Sequence, residues 1–442
     1  MDLVVRTKHG VVKGYETKDS IIFRGIPYAE TNRFEEPKDI YWHDVFDATD
    51  TEIDGYQLAS FREENHFYTK EFQVTSKGKR TYTYADSPMT LNIICPKNKD
   101  KCPVFVFIHG GAFDVGCVGD LPYGLSEEYS KRGIVLVSIG YRLNVFGFYN
   151  NMNLGLKDQE FAIKWVYENI EDFGGDKENI VIGGESAGAM STIDLLLTKR
   201  LKGIVKGAIV MSGGAPLPNI VGPKKQYKCE WFWEDVMYQA GCKTFDELKE
   251  VEPKRLWEAY YKERQRGVPL YLQQPGIDGT IIPYAPKECL KRNLSLDVPI
   301  LLGVTGQDFM PYIIYMLGLK WAEYNAKKNR EPIYGYFFDR TPPGGDYKAF
   351  HAVDLWYAFG CLNQSWRPFN QDDVKVKNEL VDYFSNFIKT RNPNGENLPE
   401  WNPITKKFKG FRYINNTDDG YIMPKKAKKI HLHVLFKDHG PI

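Results

Sequence analysis

The chain predicts an α/β fold: a large, mostly parallel mixed sheet with helices on both faces and an antiparallel N-terminal edge. Three observations carry this. Short β-branched runs, PVFVFIH (103–109), IVLVSIGY (134–141), NIVIGG (179–184), KGAIVMSG (206–213) and VPILLGV (298–304), lack polar alternation, as strands covered on both faces do. Helical patterns such as DQEFAIKWVYENI (158–170) and AMSTIDLLLTKR (189–200) separate them, the alternation from which parallel strands and their crossovers are built. The opening LVVRTKHGVVKGYE reads as a hairpin with Gly10 near its turn, and a second extended pair precedes PVFVFIH, giving the antiparallel edge.

With 442 residues, 43% hydrophobic and 14% aromatic, the chain has ample material for a large core. No repeat, linker or composition shift divides it, so one domain over residues 1–442 is expected. Lys plus Arg number 58 against 57 Asp plus Glu, a formal charge of +1, which supplies no field for nucleic acid or an anionic membrane. The expected partner is a small molecule, with no nucleic acid, and the chain is expected to act as a monomer or weak homo-oligomer. No apolar run approaches the roughly 18–20 residues of a membrane span, and MDLVVRTKHG lacks the charged start and apolar core of a signal peptide. Seven cysteines without CxxC spacing argue against a disulfide framework or a zinc site; reduced thiols in a cytoplasmic protein are expected, with a single Cys229–Cys242 bridge left open. KKAKK (425–429) reads as a solvated surface run.

The chemistry gathers around VIGGESAGA (181–189). A strand, a small-residue turn and a helix in that order make a GxSxG nucleophile elbow, with Ser186 exposed above the sheet and Gly184 and Gly188 permitting close passage of strand and helix. The N–H of Ala187, at a helix N-terminus, is placed to stabilise an oxyanion. IHGGAF (108–113) ends a predicted buried strand, so the N–H groups of Gly111 and Ala112 are the other expected donors. A serine nucleophile needs a base and an orienting acid, in the chain order Ser, acid, His. Of the four histidines after Ser186, His351 follows the turn-rich TPPGGDYK and opens a helix, whereas His431 and His433 alternate in a strand-like KIHLHVLF and His439 lies near the end. Asp308 follows the strand VPILLGV, at the carboxyl end where catalytic groups of a parallel sheet collect. Asp278, which reads as a turn residue, and Asp354 are rival acids. Glu185 is expected to be buried beneath the elbow. The aromatics at 231–233, Tyr271, Tyr312, Tyr315, Trp356 and Tyr357 are candidates for the pocket wall. No metal or organic cofactor is implied.

These residues resemble the type B carboxylesterases, which have the α/β-hydrolase fold. FRGIPYAE, RFEEP, LNIICP, VFIHGGAF, SIGYRLNVFGF, the long block from Asn153 to Ala189, HAVDLWYAF and YFSNFIKTRNPNGENLPEWNPI look like family blocks in family order across nearly the whole chain. The resemblance implies a serine carboxylester hydrolase acting on small to medium acyl groups, with Ser186 as nucleophile, His351 as base, Asp308 as acid and the backbones of Gly111, Ala112 and Ala187 as the oxyanion hole. A lipase, or an esterase releasing acetyl or feruloyl groups from polysaccharide, is the alternative. A catalytically dead adhesion relative is disfavoured because the triad residues remain. The chain departs from the family pattern where GVTGQDF carries Asp308 in the place of a glutamate, where DSPMTLNI lacks the cysteine of the usual N-terminal disulfide, and where the interval from Asp308 to His351 is short. The last departure implies a shallower, more open entrance.

Overall fold

The β-branched runs pair into one 13-stranded sheet. From edge to edge its strands are Leu3–Arg6, Val11–Glu16, Ser20–Pro27, Thr90–Pro96, Val135–Ile139, Cys102–Ile108, Gly175–Glu185, Val205–Met211, Ile300–Thr305, Ile333–Phe338, Phe411–Ile414 and Tyr421–Ile422, with Val45–Asp47 added beside Val11–Glu16. The computed structural model describes residues 3–50, 53–57, 67–75, 78–79, 83–216, 230–267, 274–415 and 420–437. Every neighbouring pair from Val135–Ile139 to Phe411–Ile414 is parallel. The N-terminal strands along the main path are antiparallel, including the hairpin and the pair formed by Ser20–Pro27 with Thr90–Pro96, while Val45–Asp47 lies parallel to Val11–Glu16.

The missing polar alternation has a direct structural cause. Strands Val135–Ile139, Ile300–Thr305 and Ile333–Phe338 are buried at every position, because hydrophobic layers cover both faces of the sheet. Along Cys102–Ile108, Val104, Val106 and Ile108 enter one layer and Phe105 and Phe107 the other, the period-2 alternation of a strand with two apolar faces. A third, smaller cluster joins Phe146, Tyr149, Phe232, Trp233 and Tyr260 beneath helices Asn144–Phe148, Glu230–Gln239 and Pro253–Arg264.

The helices form where the periodicity places them, with ends set by local chemistry. The pattern at 158–170 belongs to Leu154–Asn169, and that at 189–200 to Ala187–Leu196. Helix Pro253–Arg264 starts on a proline whose fixed φ suits the first turn, capped by the Glu252 carboxylate accepting from the N–H groups of Lys254 and Arg255. KIHLHVLF differs from its strand-like reading: it lies within helix Pro424–Lys437, whose first turns are KKAKK. Alternation over so short a run is weak evidence. The spacing of Ala427 and Ile430, which pack toward the core, matches a helix face instead.

One buried ion pair ties the sheet to the helices. Arg142, 1% exposed, follows strand Val135–Ile139 and donates Nε and Nη2 to the two carboxylate oxygens of Asp158 at 2.8 and 2.7 Å, and Nη1 to the Glu35 carbonyl at 2.7 Å. Removing one partner leaves the other charge buried alone. Asp158→Ala is therefore expected to cost about 3–5 kcal/mol of folding stability, checked by equilibrium denaturation; a change under about 1 kcal/mol would contradict the role of this pair.

Candidate active site

Strand Gly175–Glu185 runs straight into helix Ala187–Leu196, and Ser186 is the single residue between them, at φ 54° and ψ −120°. That left-handed conformation is costly for a residue with a Cβ. It is held by the Ser186 N–H donating to the Met211 carbonyl at 2.9 Å and by the Ser186 carbonyl accepting from Met190 N–H at 2.9 Å. The glycines are a packing requirement: a Cβ on Gly184 would lie 2.3 Å from the Gly188 carbonyl carbon, and one on Gly188 2.0 Å from the Ile108 oxygen.

Asp308 and His351 come from loops beyond two adjacent parallel strands. An isolated parallel bridge pairs Gln307 with Phe350, and Gln307 N–H donates to the Ala349 carbonyl at 2.7 Å. This puts the residues that follow, Asp308 and His351, near one another. His351 Nδ1 lies 2.9 Å from Asp308 Oδ1, which also accepts from Phe309 N–H at 2.9 Å, while Oδ2 accepts from the Thr305 hydroxyl at 3.1 Å. A side chain one methylene shorter than glutamate thus suffices. The two rivals have other partners: Asp278 accepts from Thr280 and Ile282 in a turn, and Asp354 accepts the Tyr336 hydroxyl at 2.6 Å.

Glu185 is buried under the elbow, and its Oε1 lies 3.2 Å from His351 Nε2. No hydrogen bond joins Ser186 to His351 in this arrangement; Nε2 faces the carboxyl of the preceding residue instead. Burial raises the Glu185 carboxyl well above the carboxylate range, with His351 drawing it back. For His351 burial opposes protonation, yet the charges of Asp308 and Glu185 outweigh it and hold the imidazole above its ordinary value. Burial also works against the Asp308 charge, but His351 and the hydrogen bonds keep that carboxyl below its usual value. Burial pushes Asp354 up to about 6, against the Tyr336 hydrogen bond. Glu185 and His351 therefore titrate as coupled groups, each favouring the charged form of the other.

The loop after strand Cys102–Ile108 folds over the elbow. A Cβ on Gly110 would lie 2.7 Å from the Glu185 oxygen and 3.2 Å from Ser186 Cβ, and Gly111 and Ala112 follow at φ 105° and 56°. Ala187 is the first residue of its helix, where N–H groups have no partner inside the helix. Ser186, His351, Glu185, Gly111 and Ala112 line one cavity of about 270 Å³, together with Tyr68, Phe72, Asp114, Asp120, Leu121, Tyr123, Arg264, Phe309 and Leu355. Among the described residues no group of three His, Cys, Asp or Glu side chains is set to hold a metal ion, and no helix is long and apolar enough to cross a membrane.

A model of the carboxylesterase family matches residues 1–322 and 309–433. The chain belongs to that family. It is 28% identical to the para-nitrobenzyl esterase of Bacillus subtilis (strain 168), over 91% of this chain and 94% of the relative. It is 27% identical to the bile salt-activated lipase of Mus musculus, over 93% of this chain and 83% of that protein. Among solved structures it is similar to a thermophilic PNB esterase, with a TM-score of 0.82 at 24% identity over 97% of this chain and 100% of the other. A Geobacillus stearothermophilus carboxylesterase gives 0.77 at 25% identity over 97% and 99%. The protein is a carboxylic ester hydrolase with the α/β-hydrolase fold.

The cavity wall of the esterase differs from the aromatics named from sequence. Phe232 and Trp233 belong to the third hydrophobic cluster and Trp231 is exposed. Tyr312 packs against the main core, and buried Tyr315 donates to the Lys409 carbonyl. Trp356 and Tyr357 are buried, Trp356 behind the wall against Phe72; Tyr271 lies outside the described residues. The aromatics that do line the cavity, Tyr68, Phe72, Tyr123 and Phe309, sit in short segments without periodicity. Only Phe309 carried a local signal, its place beside Asp308. Its ring centre is 4.4 Å from that of His351, and it is 53% exposed.

Removing the Glu185 carboxyl lowers the proton affinity of the coupled pair. The rising limb of kcat/KM against pH is expected to move to lower pH in Glu185→Gln, measured over a pH series with an activated acetate ester; an unmoved limb would show that Glu185 does not raise the proton affinity of His351.

Proposed function

We propose that the esterase cleaves small to medium acyl esters through an acyl-enzyme on Ser186. The reading rests on one observation above all: His351, hydrogen-bonded to the buried Asp308, lines one cavity together with a serine held on a strained elbow. His351 Nε2 takes the Ser186 proton as Oγ attacks the ester carbonyl, and returns it to the leaving alcohol; water then repeats the attack and frees the acid. For this the imidazole turns from Glu185 toward Ser186, a motion in keeping with catalytic hydrogen bonds that tighten only when substrate is bound. Asp308 fixes the productive tautomer. The N–H groups of Gly111, Ala112 and Ala187 receive the carbonyl oxygen as it becomes anionic, an interaction worth about 10²–10³ in turnover per donor.

The cavity, about 270 Å³, lies at the small end of ligand pockets, which supports short acyl groups. The short interval between Asp308 and His351 supports a shallow entrance with weak selection on the alcohol. Cytoplasmic residence and a monomeric or weakly associating state complete the reading, supported by balanced charge and by the buried free thiols of Cys95, Cys102, Cys117, Cys242, Cys289 and Cys361; Cys229 lies outside the described residues.

Ser186→Ala is expected to reduce hydrolysis of para-nitrophenyl acetate by more than about 10⁴-fold, and activity near that of the unaltered enzyme would overturn the assignment. Asp308→Asn keeps the shape but presents the wrong hydrogen-bonding pattern to Nδ1, so kcat is expected to fall about 10³–10⁴-fold with the unfolding transition retained; a mild loss would move the acid's role elsewhere. In a series of para-nitrophenyl esters, kcat/KM is expected to peak at short to medium chains, whereas long-chain preference with interfacial activation would mark a lipase.

A further inference from the structure

The oxyanion loop is strained at three successive residues, and part of what holds it comes from outside the catalytic core. Gly111, Ala112 and Phe113 have φ of 105°, 56° and 63°. Two of these carry a Cβ, and such a backbone persists only where its surroundings over-determine it. The restraints converge on the end of the loop. The Phe113 carbonyl accepts from Asn144 N–H at 2.7 Å, and the Asp114 N–H donates to the Gly111 carbonyl at 3.0 Å. The Asp114 carboxyl, buried, accepts from Arg264 Nη1 and from the Tyr260 hydroxyl at 3.3 Å.

Both of those donors stand on helix Pro253–Arg264, which belongs to the third hydrophobic cluster and supplies none of the triad or oxyanion groups. Tyr260 is fixed there by stacking on Trp233, ring centres 6.2 Å apart at 11°. Arg264 is the last residue of its helix, where a cation meets the negative end of the dipole. Its side chain is only 20% exposed and it lines the cavity. Burial raises the Asp114 carboxyl, with Arg264 and Tyr260 opposing, so the charge of this acid depends on its partners.

We propose that the Asp114–Arg264 ion pair, with Tyr260, is a positioning device for the oxyanion loop. It rests on the reading above that Gly111 and Ala112 donate to the developing oxyanion. By fixing Asp114 it fixes the strained residues just before it, and so aims their N–H groups at the place where negative charge develops. The interaction it serves exists mainly in the transition state. Loosening it lowers kcat and leaves the binding of the ground-state ester nearly unchanged.

The test compares Arg264→Gln, Asp114→Asn, Tyr260→Phe and Arg264→Lys with the unaltered enzyme. Competent sites are counted by phosphonate labelling of the serine to end point, so that any misfolded fraction drops out. With para-nitrophenyl acetate, kcat per labelled site is expected to fall about 10- to 100-fold in Arg264→Gln and Asp114→Asn, the scale of a small misplacement of catalytic groups, and KM to stay within about twofold. Affinity for a trifluoromethyl ketone, which forms a tetrahedral adduct on the serine, is expected to fall in parallel. Tyr260→Phe gives a smaller loss in the same direction, and Arg264→Lys recovers part of the rate. An unchanged kcat per labelled site with a lowered unfolding temperature would overturn the proposal in favour of a purely structural tie. A raised KM at unchanged kcat would overturn it in favour of direct contact between Arg264 and substrate. Hydrolysis persisting in Ser186→Ala under the same assay is a separate signature, and it would overturn the catalytic reading itself.

Discussion

The site depends on a contact that leaves no room for a side chain. Three backbones, the end of the strand before Ser186, the start of the helix after it and the segment from Ile108 to Gly110, meet closely enough that a Cβ at Gly184, Gly188 or Gly110 would overlap its neighbours. That close approach turns the chain within one residue, leaves Ser186 no choice of conformation and brings the Gly110–Ala112 loop over it. The strain at Ser186 is stored locally and sustained by the parallel sheet around it, whose strands are covered on both sides by apolar layers. The large core is in this sense part of the site: a loosely packed sheet would let the elbow relax.

Around the imidazole the problem is electrostatic. Glu185, Asp308 and Asp354 are all buried within influence of His351, and three ionised carboxylates there would be prohibitively costly. The arrangement separates them by partner. Asp308 has the imidazole, a hydroxyl and a backbone N–H and keeps its charge; Asp354 has the Tyr336 hydroxyl; Glu185 has the far side of the same ring. Neighbouring carboxyls of similar intrinsic acidity are thereby driven apart, so that Asp308 holds the His351 ring while Glu185 sets how tightly the ring holds a proton.

Much of this was legible in the residues, for physical reasons that differ between parts. The parallel centre could be read because strands buried on both faces must be apolar at every position, and the elbow because its glycines are demanded by contact rather than preference. Chain order and a place beyond strand ends singled out Asp308 and His351, which the fold joins by a hydrogen bond. The cavity wall was not legible. Tyr68 and Phe72 lie in the short helix Phe67–Phe72, too brief for a periodic signal, and Arg264 ends a helix whose pattern announces only a solvated surface. Most of the described aromatics that drew notice in the sequence pack into the core, since large apolar rings are used first to fill volume. The tail misled because two histidines alternating with aliphatics imitate a strand over a run too short to tell apart from one face of a helix.

The bridge between Gln307 and Phe350 separates the chemistry from the chain that connects it. Asp308 and His351 are 43 positions apart in sequence, yet their relative placement is fixed by a contact one residue before each. Beyond Phe309, which stays on the cavity wall, the chain leaves the site and returns through that clasp. The excursion can lengthen or shorten at little entropic cost, since loop closure grows only slowly with length, and Asp308 and His351 do not register the change. A protein built this way can remodel its doorway by insertion and deletion while its reaction stays the same.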